Sequence, residues 1–173
     1  MLSESACLIY DNAISKQDYS SEKIIFLAEK SELINNLQNE FITPLERGDI
    51  FLLQENITKE LDSIFALQEY LSFINLNDFK ELNTISKSLK TQKLIFSDLK
   101  NYKSNLRLFE QCSEEIKYLN AGKKSIEKGI LDALKCKSEQ PLIKYVVYKE
   151  VLDLNRCIYK TVLHIERILI DNS

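Results

Sequence analysis

The stretch PLIKYVVYKEVLDLNRCIYKTVLHIERIL, residues 141–169, decides the fold class of this chain. Its apolar side chains recur at spacings of three and four residues, as one face of a long α-helix requires. They are Ile143, Val147, Val151, Leu154, Ile158, Val162, Ile165 and Leu169. Pro141 suits the first turn of such a helix, and Ser138 is a candidate cap just before it. We therefore predict one amphipathic helix from near residue 139 almost to residue 173.

The same spacing continues toward the N-terminus in three more segments. Apolar stripes run over residues 109–134, 82–102 and 50–74, and each is long enough for several helical turns. The residues between the last two, Asn75 to Asp78, break the pattern and offer a capping side chain to the helix that follows. Because this connection is short, we expect the two helices that it joins to be antiparallel neighbours.

Two further helices complete the predicted fold. One covers about residues 20–40, and a weaker one covers about residues 3–15. The inward residues expected in the longer of these two helices are Ile24, Leu27, Ile34 and Leu37. Helices longer than the average of about 11–12 residues, joined by short connections, favour an all-α, elongated up-and-down bundle of about six helices.

Composition agrees with one helical domain over residues 1–173. The chain has 45% hydrophobic residues, enough for a core, but only 3 Gly and 2 Pro, too few for many strands with tight turns. No Gly/Ser-rich linker divides it. A formal net charge of −3 does not favour a nucleic-acid surface.

The sequence predicts a cytoplasmic protein without a membrane span. Its longest apolar run, residues 24–28, is far shorter than the roughly 20 residues that cross a bilayer. Glu4 stands where a secretion signal would carry positive charge. The four cysteines form no Cys-x-x-Cys pair, so we expect reduced thiols and no structural zinc.

No constellation of catalytic residues stands out, and we predict that the chain is not an enzyme. The three glycines stand alone, so a phosphate-binding loop is not expected. His164, the single histidine, lies beside the apolar stripe of the last helix, where a helix-flank role is the simpler interpretation. The acid pairs Asp18/Glu22 and Glu110/Glu114 are expected to be solvated faces.

The segment FITPLERGDI, residues 41–50, is not a generic helix. Pro44 disfavours α geometry at Thr43, and Asp49 places negative charge in the first turn of the next helix. The segment is therefore expected to form a corner between two helices.

This corner resembles the Phe-Ile-Thr-Pro-x-x-Arg-x-Asp-Ile motif of the PhoU-like family of phosphate-transport regulators, carried here by Phe41, Thr43, Pro44, Arg47 and Asp49. Residues 141–145 are similar to the start of that family's final helix. The resemblance implies a bundle built from two three-helix units, usually oligomeric. It also implies action beside membrane phosphate transporters or in phosphate signalling.

Some members of that family bind iron or zinc clusters through acidic motifs, and most of these acids are missing here. Gly48 replaces an acid at the corner, and residues 120–124 read Asn-Ala-Gly-Lys-Lys. Because hard cations need clustered oxygen ligands, no metal cofactor is predicted. In the alternative interpretation, the chain keeps an iron or zinc site with fewer carboxylate ligands, and the candidates for these ligands are Asp49, Asp62 and Asp153.

The resulting functional prediction is a non-catalytic regulator or adaptor associated with inorganic phosphate transport or phosphate signalling, acting through helix-face protein contacts. It would lie in the cytoplasm, at the inner face of the membrane through a partner. The alternatives are a metal-binding protein with the reduced carboxylate site, and a helical bundle repurposed for an unrelated protein interaction. A homo-oligomer is expected, with flanking apolar positions such as Phe51, Phe65, Phe73 and Phe96 available for burial.

Overall fold

The computed structural model describes residues 2–15, 20–39, 45–71, 73, 75, 79–99, 106–135 and 141–172. This part of the chain contains six α-helices and no strand, which confirms the predicted all-α class. The helices are α1 Leu2–Ile14, α2 Ser20–Asn39, α3 Arg47–Leu71, α4 Glu81–Leu99, α5 Leu106–Lys135 and α6 Pro141–Asp171. Pro141 opens α6, as its missing amide hydrogen allows; Ser138 lies outside the described residues.

The helices pack around one hydrophobic core. Helix α6 packs against α3 and α5, α5 packs against α4, and α1 lies against both α3 and α4. All six helices contribute residues to this core, and the division into two three-helix units stays a prediction. Helices α3 and α4 make few direct contacts with each other, whereas α1 contacts both of them, and the Tyr10 hydroxyl reaches the Leu82 carbonyl of α4.

Most of the predicted apolar stripes form this core. In α6 all of the expected residues from Val147 to Leu169 are buried, and Ile143 is half-buried. In α3 and α4 the buried stripe residues are Leu53, Ile57, Leu61, Ile64, Leu67, Leu71, Leu82, Ile85, Leu89, Ile95 and Leu99. Ile74 and Tyr102 lie outside the described residues.

The prediction was wrong for part of α2. Ile24 and Leu27 are exposed, and Phe26 is buried in their place. Five consecutive apolar residues, 24–28, surround the helix on all sides, so spacing alone could not identify the inward face. Helix α2 packs mainly on α1, and the contact with α1 selects the side that carries Phe26.

Helices α5 and α6 form a long antiparallel hairpin. Ser113 meets Glu166 near one end, and Gly129 lies against Tyr148 near the other. At the start of α4, Glu81 accepts a hydrogen bond from Ser125 of α5. Residues 126–135 and 141–149 therefore extend beyond the first turn of α4, and we call these residues the hairpin end.

Candidate functional site

The predicted corner is only partly within the described residues. Phe41, Thr43 and Pro44 lie outside them, so their roles stay predictions. The structure does confirm that a helix begins at Arg47 and that Asp49 stands in its first turn. The backbone amide of Asp49 donates to the Glu46 carbonyl at 3.0 Å, which closes the turn that starts α3.

Asp49 also faces the single histidine of the chain. Its Oδ1 lies 3.3 Å from Nε2 of His164 on α6, and the His164 side chain is 11% exposed. Nε2 has no partner with hydrogen-bond geometry, so the contact is an ion pair when the imidazole is protonated. His164 therefore ties the start of α3 to α6 and is more buried than a flank position suggests.

The three candidate metal-binding carboxylates do not converge. Asp49 and Asp62 are separated by 13 residues of one helix, about 20 Å along its axis. Asp153 accepts a hydrogen bond from Nη1 of Arg156 at 3.0 Å. Within the described residues, no group of three or more His, Cys, Asp or Glu side chains is placed to hold a metal ion. The donor set therefore does not fit an iron or zinc cluster.

A buried polar cluster, which the sequence did not reveal, joins three helices. Glu60 of α3 is 0% exposed. Nε2 of Gln92 on α4 donates to its Oε1 at 2.9 Å and its Oε2 at 3.1 Å. Oγ1 of Thr161 on α6 donates to Oε1 at 2.5 Å and also lies 3.1 Å from the Cys157 carbonyl oxygen. Glu60, Gln92 and Thr161 form what we call the Glu60 cluster.

The electrostatics of the Glu60 cluster favour the neutral acid. Burial raises the pKa of the Glu60 carboxyl to about 7, and the hydrogen bonds from Thr161 and Gln92 offset only part of that rise. Both hydrogen-bond donors are uncharged. No lysine, arginine or histidine of the described part forms an ion pair with this carboxyl, so nothing there compensates a full negative charge.

Other buried polar groups surround the cluster. Burial raises the pKa of the Cys157 thiol, and the negative charge of Glu60 raises it further. On α5, burial raises the pKa of Glu115, an effect that Ser88, Thr91 and Lys87 of α4 partly oppose. The two buried carboxyls have separate partners, since Glu60 accepts from Gln92 and Thr161, whereas Ser88 and Thr91 act on Glu115.

Each member of the Glu60 cluster occupies a position within an apolar stripe. Glu60 lies between Ile57 and Ile64 at spacings of three and four residues. Gln92 similarly fills the gap between Leu89 and Ile95, and Thr161 follows Ile158 by three residues. A polar residue inside an apolar stripe was the available signal, and three such residues on three helices would have justified predicting a buried network.

The hairpin end carries a different feature, an apolar surface. Leu131, Leu134 and Leu142 are 55%, 63% and 71% exposed. Leu131 and Leu134 are neighbours on α5, and the antiparallel register brings Leu142 to the same end. The hairpin end holds four lysines against two acids, although the whole chain has a net charge of −3. Lys149 pairs with Glu150, the residue that follows, at 3.9 Å, so this apolar surface carries only a small excess of positive charge.

Comparisons of the chain with protein-family models, with curated proteins and with solved structures find no match. The resemblance to the PhoU-like family therefore stays a prediction. Among the described residues, no helix combines the length and the low polarity that a bilayer crossing requires.

Proposed function

We propose that this chain is a non-catalytic regulator or adaptor that binds a protein partner through helix faces, in the setting of inorganic phosphate transport or phosphate signalling. The observation that carries the adaptor part is the set of three exposed leucines on the basic hairpin end. The phosphate setting is supported by the resemblance of residues 41–50 to the PhoU-like motif.

The hairpin end suits an interaction surface for physical reasons. Clustered apolar side chains that remain in water are unfavourable, and larger exposed patches mark sites of association more often than scattered ones do. Two packed helices support the leucines here, so little conformational entropy is lost when a partner covers them. The surrounding lysines Lys128, Lys135 and Lys149 are exposed.

The charge of this surface indicates the chemistry of the partner. An apolar patch with an excess of lysines is complementary to a helix that presents apolar and acidic side chains. We therefore propose such a helix, on a cytoplasmic part of a phosphate transporter or on a phosphate-signalling protein, as the occupant. Binding would bring this chain to the inner face of the membrane without a span of its own.

The test is co-purification from detergent-solubilised native membranes. The chain is compared with the double variant Leu131→Glu/Leu134→Glu and with the control Leu94→Glu, which alters a 61% exposed leucine on α4. Recovered proteins are identified by mass spectrometry. We expect the wild-type chain and the control to recover a phosphate permease or phosphate-signalling protein, and the double variant to recover at least ten-fold less.

Each other outcome contradicts a definite part of the proposal. Equal recovery by all three chains would exclude the hairpin end as the binding surface. Leucine-dependent recovery of a protein unrelated to phosphate would retain the adaptor role and exclude the phosphate setting. Leucine-dependent binding to protein-free anionic vesicles would replace the protein partner by a lipid surface.

We also propose that the chain holds no metal cofactor. Elemental analysis of protein purified without added metal checks it. Stoichiometric iron or zinc that disappears in Asp62→Asn would contradict it and restore the metal-binding alternative.

Association between copies of the chain stays a prediction. Phe51 and Phe73 are exposed and available for such contacts, whereas Phe65 and Phe96 pack against the core. Light scattering at two protein concentrations measures the mass directly, and a monomer at both would contradict the predicted homo-oligomer.

A further inference from the structure

We call the region in which α3 faces α4 the seam between these helices. These helices make few direct contacts with each other, and α1 packs against both of them. There the Tyr10 hydroxyl donates to the Leu82 carbonyl at 2.7 Å, and Asp11 contacts Ser86 and Lys90. Gln92 follows directly after this stretch. Its hydrogen bonds to Glu60 connect α3 directly to α4.

We propose that Glu60 is a reversible proton-binding site, and that loss of its proton loosens the seam between α3 and α4. This inference goes beyond the adaptor function and does not depend on it. The carboxyl takes up one proton from water to become neutral and returns one proton to water when it ionises.

The hydrogen-bond geometry accommodates the neutral acid without rearrangement. A proton on Oε1 donates to Thr161 Oγ1, and the Thr161 hydroxyl then donates to the Cys157 carbonyl oxygen. Gln92 Nε2 continues to donate to Oε2. Every polar atom of the carboxyl thus has a partner in the protonated state, and the acid retains its contacts with α4 and α6.

The ionised form is less well accommodated at the same place. It receives hydrogen bonds from Gln92 and Thr161 only, both neutral, and it has no access to water. A buried carboxylate with only neutral donors is unfavourable, and hydration relieves that penalty. Helices α3 and α4 pack less closely with each other than either does with α1, and we infer that water would reach the carboxylate by loosening this seam.

Among the described residues, no ionisable group on the surrounding helices supplies a compensating cation to Glu60; Lys160 of α6 is exposed and acts on the Cys157 thiol. Helix α6 presents Cys157, whose thiol responds to the Glu60 charge. Helix α5 presents Glu115 against α4, and α1 presents Asp11, which pairs with Lys90 of α4 at 3.5 Å. Lys90 is 60% exposed in that pair, so water screens its charge.

The test compares the full chain with Glu60→Gln and with the control Glu55→Gln, an exposed acid on the same helix. Unfolding by denaturant is measured from pH 4.5 to 8. The folded pKa of Glu60 is raised above its ordinary value, so the folded state binds more protons than the unfolded state in this window. Stability should therefore fall as pH rises toward 7 and then level off.

For the wild-type chain and Glu55→Gln, we expect the unfolding equilibrium constant to rise on the order of 100-fold across that window. Glu60→Gln should lose most of this rise. In the wild-type chain, amide hydrogen exchange near Gln92, corrected for its intrinsic pH dependence, should accelerate above pH 7 more than exchange in the α5–α6 contact. The Glu60→Gln chain should show no such difference.

If Glu60→Gln does not fold, a direct titration of the Glu60 carboxyl in the wild-type chain still tests proton binding. The side-chain carboxyl carbon of Glu60 is assigned in the wild-type chain by nuclear magnetic resonance and followed with pH. A midpoint near the ordinary glutamate value would overturn proton binding. A midpoint near 7 with unchanged exchange at Gln92 would overturn the coupling to the seam.

Discussion

Replacing Gly129 by alanine tests the closest helix–helix contact of the hairpin. A Cβ at this position would lie 2.4 Å from Cε1, 2.6 Å from Cζ and 2.8 Å from Cδ1 of the Tyr148 ring. Carbon atoms in contact are normally about 3.5–4.0 Å apart, so the ring or a helix must move by about 1 Å. The ring cannot withdraw freely, because its centroid lies 4.9 Å from that of Phe79.

The magnitude follows from two opposing effects. Alanine in place of glycine stabilises a helix interior by about 1 kcal/mol. Overpacking costs about 1–3 kcal/mol, and disturbing the contact between the Tyr148 and Phe79 rings adds up to about 1 kcal/mol. We expect Gly129→Ala to lower the free energy of unfolding by about 1–2 kcal/mol. For a chain of this size, that corresponds to a fall in Tm of about 2–8 °C.

The assay is thermal and denaturant unfolding, with Gly48→Ala as the matched control. Gly48 stands in the first turn of α3 with no atom within 4 Å of its would-be Cβ, so its substitution should leave stability unchanged or raise it slightly. In a Tyr148→Ala background, Gly129→Ala should become stabilising, because the clash is gone. A stabilising effect in the wild-type background, or the same effect in both, would refute the reasoning.

Two further predictions concern buried groups away from the hairpin end. Tyr10→Phe should cost about 1 kcal/mol in denaturant unfolding, because it removes the hydrogen bond from Tyr10 to the Leu82 carbonyl; an unchanged midpoint would contradict this. Cys112 is fully buried, and burial raises the pKa of its thiol to about 12, so alkylation followed by mass spectrometry should label it only after unfolding. Rapid labelling of Cys112 in the folded chain would show that α5 and α6 open there.

The sequence was sufficient to predict the helices, but not to predict which helices pack against each other. Periodic apolar residues located six helices because each helix must bury one face. The same periodicity does not specify which helix covers that face. For that reason it predicted α3 and α4 as close neighbours, although each packs more extensively on α1 than on the other and the two meet through Gln92 and Glu60. In α2, the inward assignment of Ile24 and Leu27 failed because five apolar residues in succession make every face equally plausible.

The candidate site was harder to predict, because motifs record residue types and not distances. Asp49, Asp62 and Asp153 were selected as the surviving acids of a family pattern, and the structure places them apart. The acid that is most perturbed by its surroundings, Glu60, belongs to no motif. It could be recognised only by combining its stripe position with those of Gln92 and Thr161, and that combination depends on how three helices align.

The Glu60 cluster can serve two purposes that a single substitution separates. Apolar side chains tolerate small shifts of one helix along another, whereas Gln92 and Thr161 reach Glu60 in one alignment of α3, α4 and α6. A register role of this kind is a recognised use of buried polar groups. It needs hydrogen bonding alone, which glutamine at position 60 retains. Proton binding needs a carboxyl, which glutamine lacks. A Glu60→Gln chain with the wild-type fold but without the pH dependence would therefore assign the register to the hydrogen bonds and the pH response to the proton.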